Sequence, residues 1–328
     1  MSRTAKIATT AGAFVAAGAV ATLFNGRQRR QRQRRRGEDV AFGSVHSDRQ
    51  RITASDGVVL NAEIDEMEEV DPAAPTVVFV HGWLESIDVW HYQRLALRGS
   101  VRMVFVDLRS HGRSGRSSRA TSSFAHLADD LRDVLGQLVP DGPIVLVGHS
   151  MGGMTIMQLA STEPDLFGDR VRGVVLIGTS AGRLMRSSPG LRHLIPLLRI
   201  AAPALDWGRA FNSYSVVRRW GLGPHAQERH VDMTNEMILK APTHVLMDFY
   251  PNFMSLDLTA GLDALGRART VVVGGTADMM TPVKHSRRLA DLIPDAKLVV
   301  LDDVGHMVMF EEHQRVTEII QDILGAIT

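Results

Sequence analysis

The chain has 328 residues, 45% apolar and 22% charged, enough apolar material for a buried core and too much for a disordered chain. It contains no cysteine, which excludes disulfides, thiol catalysis and iron–sulfur ligation. Nine of the 37 Lys and Arg residues precede residue 37, where there is no acid, so the remainder carries 28 basic against 36 acidic side chains, about −8, a balance that argues against nucleic-acid binding by the main body of the chain.

Ile7 to Phe24 is uncharged and rich in Ala and Gly; Arg3 and Lys6 precede it, and seven arginines from Arg27 to Arg36 follow it. Such a stretch is just long enough to cross a thin bilayer. The larger positive block is expected to stay cytoplasmic beside anionic headgroups. Residues 1–36 are therefore expected to associate with a membrane, with the main domain on its cytoplasmic side. A cleaved export signal is the alternative, because Ala19-Val20-Ala21 fits a small-residue cleavage site. Polar residues 37–48 read as a flexible linker.

Ile52-Thr53-Ala54 and Val58 to Ile64 flank Ser55-Asp56-Gly57, and an Asp-Gly turn between such runs predicts a hairpin. Thr76-Val77-Val78-Phe79-Val80 predicts a buried strand, ended by His81-Gly82-Trp83, and Ile87 to Leu97 predicts a helix. Val104-Phe105-Val106-Asp107-Leu108 predicts the next strand, followed by Arg109-Ser110-His111-Gly112-Arg113-Ser114. Leu127, Leu131, Val134, Leu135 and Leu138 fall on one face of a helix from Phe124 to Leu138.

Gly142 to Val147 then reads as a Pro-led buried strand, and Gly153 to Ala160 reads as a helix. Between them stands Gly148-His149-Ser150-Met151-Gly152. A serine at a glycine-flanked strand-to-helix turn is a nucleophile elbow, which lifts the hydroxyl clear of the sheet. Val171 to Ile177 predicts a further strand, and its following segment, Gly178-Thr179-Ser180-Ala181, holds no carboxylate.

From Ser180 to about Ser255 the alternation of strand and helix stops, and helices punctuated by Pro and Gly take its place. Arg269 to Gly275 and Lys297 to Leu301 predict two more strands. Thr276-Ala277-Asp278 leaves the first and Asp302-Asp303-Val304-Gly305-His306 leaves the second. Val316, Ile319, Ile320, Ile323 and Leu324 mark a closing helix. A nucleophilic serine needs a base, and the base needs an orienting acid. Asp278 could instead cap the helix that begins near Pro282. Asp302 and Asp303 compete as the acid, but both lie on His306's own short loop. Strands alternating with helices imply a mostly parallel sheet covered on both faces.

From about residue 50 to the C-terminus these motifs, in this order, resemble the α/β-hydrolase superfamily of serine esterases and lipases. The resemblance rests on the His-Gly turn at 81–82, the D-x-R-x-x-G-x-S run from Asp107, the elbow, the G-x-x-D-x-x-x-P run from Gly275 to Pro282, and Gly305-His306. It implies an α/β fold with an eight-stranded, mostly parallel sheet. Residues 49–180 and 256–328 would form its core, and 181–255 a helical cap.

It also implies Ser150 as nucleophile, His306 as base and Asp278 as orienting acid, with an oxyanion held by the backbone N–H groups of Trp83 and Met151. His81 would brace the oxyanion loop, and His149, at the variable elbow position, would point away from Ser150 Oγ. The chain is expected to hydrolyse small apolar carboxylic esters through an acyl-enzyme, with neither cofactor nor metal. Alternatives on the same three residues are a cofactor-free haloperoxidase or perhydrolase and a carbon–carbon bond hydrolase. A ligand-binding receptor or scaffold with a vestigial triad is the alternative of another class. Epoxide and haloalkane hydrolases are excluded, because those families carry Asp where Ser150 stands.

Overall fold

A computed structural model describes residues 40–182 except 70 and 72, residue 184, and residues 213–327. Eight strands form one sheet: β1 (Arg49–Thr53), β2 (Val59–Asp65), β3 (Thr76–Val80), β4 (Met103–Asp107), β5 (Ile144–His149), β6 (Val171–Ile177), β7 (Arg269–Gly275) and β8 (Lys297–Leu301). Their order across the sheet is β1-β2-β4-β3-β5-β6-β7-β8. β1 runs antiparallel to β2, and β2 antiparallel to β4; every other pairing is parallel. The parallel strands therefore all point their carboxyl ends to one edge, where ligands of such sheets bind.

The central strands are continuous apolar runs because both faces of the sheet are covered. All residues of β3, β4 and β5 are buried. Val78, Val80, Leu146, Val174 and Val272 pack to one side, against helices α2 (Phe124–Leu138) and α3 (Met151–Thr162). Val77, Phe79, Val145, Val147 and Val273 pack to the other, with the earlier helix α1 (His91–Leu97) and the closing helix, His313–Ile327. The alternation of side chains along each strand thus divides the core into two layers. The helix expected over 87–97 is split, its first turn, Ile87–Trp90, being 3-10 with Ser86 as cap.

Between β6 and β7 the described residues hold no strand. They form helical residues 213–220, α4 (Glu228–Lys240) and α5 (Thr243–Met254). Val231, Met233 and Met237 of α4 join the second core layer, whereas Val245, Phe249 and Phe253 of α5 join the first. Beyond β7 come α6 (Lys284–Leu292) and α7 (His313–Ile327).

The expected membrane placement is corrected. Among the described residues no helix is long and apolar enough to cross a membrane. The longest, α2 and α7, have 15 residues each and bury one face only, short of the roughly 20 apolar residues a span needs. Residues 7–36, on which the anchor and signal readings fall, lie outside the described residues.

Candidate active site

Ser150 joins β5 to α3 with φ 50° and ψ −113°, a backbone conformation that L residues rarely adopt. The strain is held from several directions. Ser150 N–H donates to Ile177 O at 2.9 Å, while its carbonyl accepts the Thr179 hydroxyl at 2.7 Å and the Met154 N–H at 3.1 Å. The flanking glycines are required by space: a Cβ on Gly152 would stand 2.1 Å from Val80 O, and one on Gly148 would stand 2.6 Å from Ile156 Cδ1. Ser150 Oγ itself makes no hydrogen bond with a described residue.

Asp278 and His306 leave the neighbouring strands β7 and β8 and meet with Oδ2 to Nδ1 at 2.8 Å. Both are buried. Asp278 also accepts the Met280 and Thr281 N–H groups on Oδ1 at 2.8 Å each, and the Thr281 hydroxyl on Oδ2 at 2.7 Å. It therefore caps its own loop and faces the imidazole at once. Asp302 and Asp303 are exposed and do not meet the His306 ring.

Burial pushes the Asp278 carboxyl up, but His306 and the Thr281 donors outweigh it and hold the group below the usual carboxylate range. For His306, burial disfavours the charged ring, yet Asp278, Glu85 and Glu311 outweigh that and raise it above the usual histidine value. A carboxylate can only accept, so Nδ1 carries the ring proton and Nε2 keeps its lone pair.

Gly178, at the end of β6, lies beside this pair: a Cβ there would stand 3.3 Å from His306 Nδ1 and 3.5 Å from His149 Nε2. The ring centroids of His149 and His306 are 4.6 Å apart. The elbow and the Asp278–His306 pair are thus gathered at the carboxyl edge of adjacent strands.

His81 accepts the Leu108 N–H on Nε2 at 3.0 Å and donates from Nδ1 to Gly82 O at 2.7 Å, tying the loop after β3 to the end of β4. In that loop Leu84 has φ 63°. Neither the Trp83 nor the Met151 N–H donates to an acceptor among the described residues. The Trp83 side chain turns to α5, where Nε1 donates to Val245 O at 3.4 Å and the ring lies 5.1 Å from Phe253 and 6.4 Å from Tyr250. Met151 is fully buried in the core. Asp107 anchors the next turn, accepting the Arg113 and Ile87 N–H groups at 2.9 Å, and Gly112 at φ 51° leaves room for its carboxylate. Among the described residues no His, Asp or Glu cluster is arranged to hold a metal ion.

Two acids beside the site, Glu85, buried, and Glu311, half-buried, carried no signal in the sequence. Glu85 takes the Gly82 N–H at 2.6 Å and faces His149 Nδ1 at 3.0 Å. Glu311 takes the Gly305 N–H at 3.0 Å and the Gly223 N–H at 2.8 Å, joining the His306 loop to the segment after residues 213–220. The His306 and Met307 N–H groups both donate to Gly221 O on the same segment. Only the position of Glu85 three residues past the His-Gly turn could have hinted at a role.

The comparisons with known proteins agree with this architecture. An uncharacterized hydrolase of Bacillus subtilis is 28% identical over 263 residues, 77% of this chain and 91% of its own. An esterase of Mycobacterium tuberculosis is 25% identical over 267 residues, 77% of this chain and 83% of its own. Among solved structures, a thermophilic esterase from Thermogutta terrifontis superposes with a TM-score of 0.69 at 26% identity, covering 86% of this chain and 99% of its own. The family model described as the alpha/beta hydrolase family matches residues 77–319, and the chain belongs to that family.

Proposed function

We propose that this hydrolase cleaves apolar carboxylic esters through an acyl-enzyme on Ser150. The observation that carries the reading is the Asp278–His306 pair at 2.8 Å beside a serine held at φ 50°. Ser150 Oγ attacks the ester carbonyl carbon, and its proton passes to Nε2 of His306. The Asp278 carboxylate stabilises the resulting imidazolium and fixes the tautomer that makes Nε2 the base. The developing oxyanion accepts the free N–H groups of Trp83 and Met151. Collapse expels the alcohol, which takes the proton from His306. Water, deprotonated by the same ring, then attacks the acyl-enzyme and releases the acid.

Serine and imidazole share no hydrogen bond in this structure, a looseness common before substrate binds. Of the segment 181–255 expected as a cap, residue 183 and residues 185–212 lie outside the described residues; residues 213–255 are read as its part over the site. Its helix α5 brings Tyr250 and Phe253 against Trp83, an apolar wall beside the proposed oxyanion site that suits an apolar acyl group.

A panel of p-nitrophenyl esters graded by acyl length, with Ser150→Ala as the blank, tests the reading. Turnover by the wild type that vanishes in the variant supports it; equal turnover by both removes it.

A further inference from the structure

Glu85 is 5% exposed, takes no part in the chemistry just described, and yet touches the loop after β3 and, through His149, the Ser150 elbow and the His306 loop. Its carboxylate accepts the Gly82 N–H at 2.6 Å, next to the Trp83 amide. Both of its oxygens lie 3.0 Å from Nδ1 of His149, the residue before Ser150. The other nitrogen of that ring, Nε2, lies 3.1 Å from the carbonyl oxygen of His306. One acid and one imidazole thus connect the loop after β3, the elbow and the loop after β8.

Both partners of the His149 ring are acceptors, whereas a neutral imidazole has one N–H. Satisfying both contacts requires Glu85 and His149 to hold two protons between them, as imidazolium beside carboxylate or as neutral ring beside carboxylic acid. In either form the pair has no net charge, which suits its burial. Burial pushes the Glu85 carboxyl up, but the surrounding His149, His81 and His306 outweigh it and hold it below the usual carboxylate range. The turn it closes is strained: Leu84 stands at φ 63°, and the Glu85 N–H reaches Gly82 O only at 3.4 Å. The side-chain bond to Gly82 N–H is the shorter tie across that turn.

We propose that Glu85, acting through Gly82 and His149, is a positioning residue that holds the Trp83 amide, the Ser150 elbow and the His306 loop in one mutual geometry for acyl transfer. The role rests on the serine-hydrolase reading above. It differs from plain structural support in what it requires of kcat and of the conservative variant.

The test compares the purified full chain with Glu85→Ala, Glu85→Gln and His149→Phe. It uses a short-chain p-nitrophenyl ester and a fluorophosphonate probe, with thermal melting as the fold control. Loosening a reacting geometry by about 1 Å costs on the order of 100-fold, so Glu85→Ala and His149→Phe should lower kcat roughly 10–100-fold, with KM moved less than about threefold. Glu85→Gln should stay within about threefold of the wild type, because its amide accepts from Gly82 N–H and donates to Nδ1 of a neutral ring. Labelling of Ser150 should follow the same ranking.

His149→Phe keeps the ring volume and carries the comparison if Glu85→Ala does not fold. Folded variants with wild-type kcat, or a Glu85→Gln as slow as Glu85→Ala, overturn the role. Failure of both disruptive variants to fold, with Glu85→Gln unchanged, makes the pair purely structural and overturns it too. A wild type that neither takes label at Ser150 nor turns over ester removes the hydrolase reading, and the role with it. A labelled wild type with unmoved variants removes the role alone.

Discussion

Thr281 gives its hydroxyl at 2.7 Å to the same oxygen of Asp278 that faces His306 Nδ1 at 2.8 Å. The donor favours the charged carboxylate, and it fixes which lone pair is left for the imidazole. Thr281→Val removes that donor while keeping the volume. One hydrogen bond to a charged group contributes about 1.5–3 kcal/mol, so kcat/KM should fall on the order of 10- to 100-fold. Thr281→Ser should restore most of it. A fully active valine variant would show that the two backbone N–H bonds hold Asp278 unaided.

Replacing the acid itself tests the imidazole. In serine-hydrolase triads an Asp→Asn change leaves the shape but reverses the tautomer, at a cost of about 10⁴-fold in kcat; under the proposed function Asp278→Asn should behave likewise. Because His306 is raised above the usual histidine range, with the Asp278 carboxylate the leading cause that favours its charge, and because only the neutral ring can act as base, kcat/KM should appear as pH rises through a value above about 6.5. In Asp278→Asn the residual activity should show its acid limb at lower pH. An acid limb that does not move between the two proteins would contradict the pairing.

Sequence pattern reached the frame of this site for a physical reason. β-branched runs such as Thr76–Val80 and Arg269–Gly275 suit strands covered on both faces, the usual setting of a parallel sheet. The glycines at 148 and 152 mark a turn that excludes any Cβ. Position alone then placed Ser150, Asp278 and His306 after the ends of β5, β7 and β8. The acids that brace the loops were hidden because their partners are backbone groups and a histidine from distant segments. Glu85 meets His149 across 64 positions, and Glu311 meets Gly223 across 88; neither spacing carries a periodic signal. Gly178 was equally silent, since what it makes room for is the His306 and His149 rings.

Glu311 links the fold to pH near neutrality. Burial, the largest influence, and the charge of Asp278 push its carboxyl up, against the Gly223 and Gly305 N–H bonds and Arg218, to about 7. The folded chain therefore keeps a proton that the unfolded chain loses near pH 4.3. The stability this proton provides is fully present below that pH and is lost as pH rises through about 7. Urea midpoints should decline across this window in the wild type, and the decline should be shallower in Glu311→Gln. Parallel curves for the two proteins would remove Glu311 as the source.

Gly152 tests the elbow's geometry. A Cβ there would meet Val80 O at 2.1 Å, and that oxygen belongs to the backbone at the end of a central strand. Gly152→Ala should cost about 1–3 kcal/mol or more by overpacking, read as a lower urea midpoint, and slow Ser150 labelling in whatever folds. An alanine variant with wild-type stability and labelling would mean that the turn has room for a Cβ.

The most direct measurement is peptide mapping by mass spectrometry after treatment of the folded full chain with a fluorophosphonate. One adduct on Ser150, absent from Ser150→Ala and formed far more slowly in His306→Ala, is the expected result. A folded wild type that carries no adduct at Ser150, or takes it equally fast without His306, would contradict acyl transfer at this site.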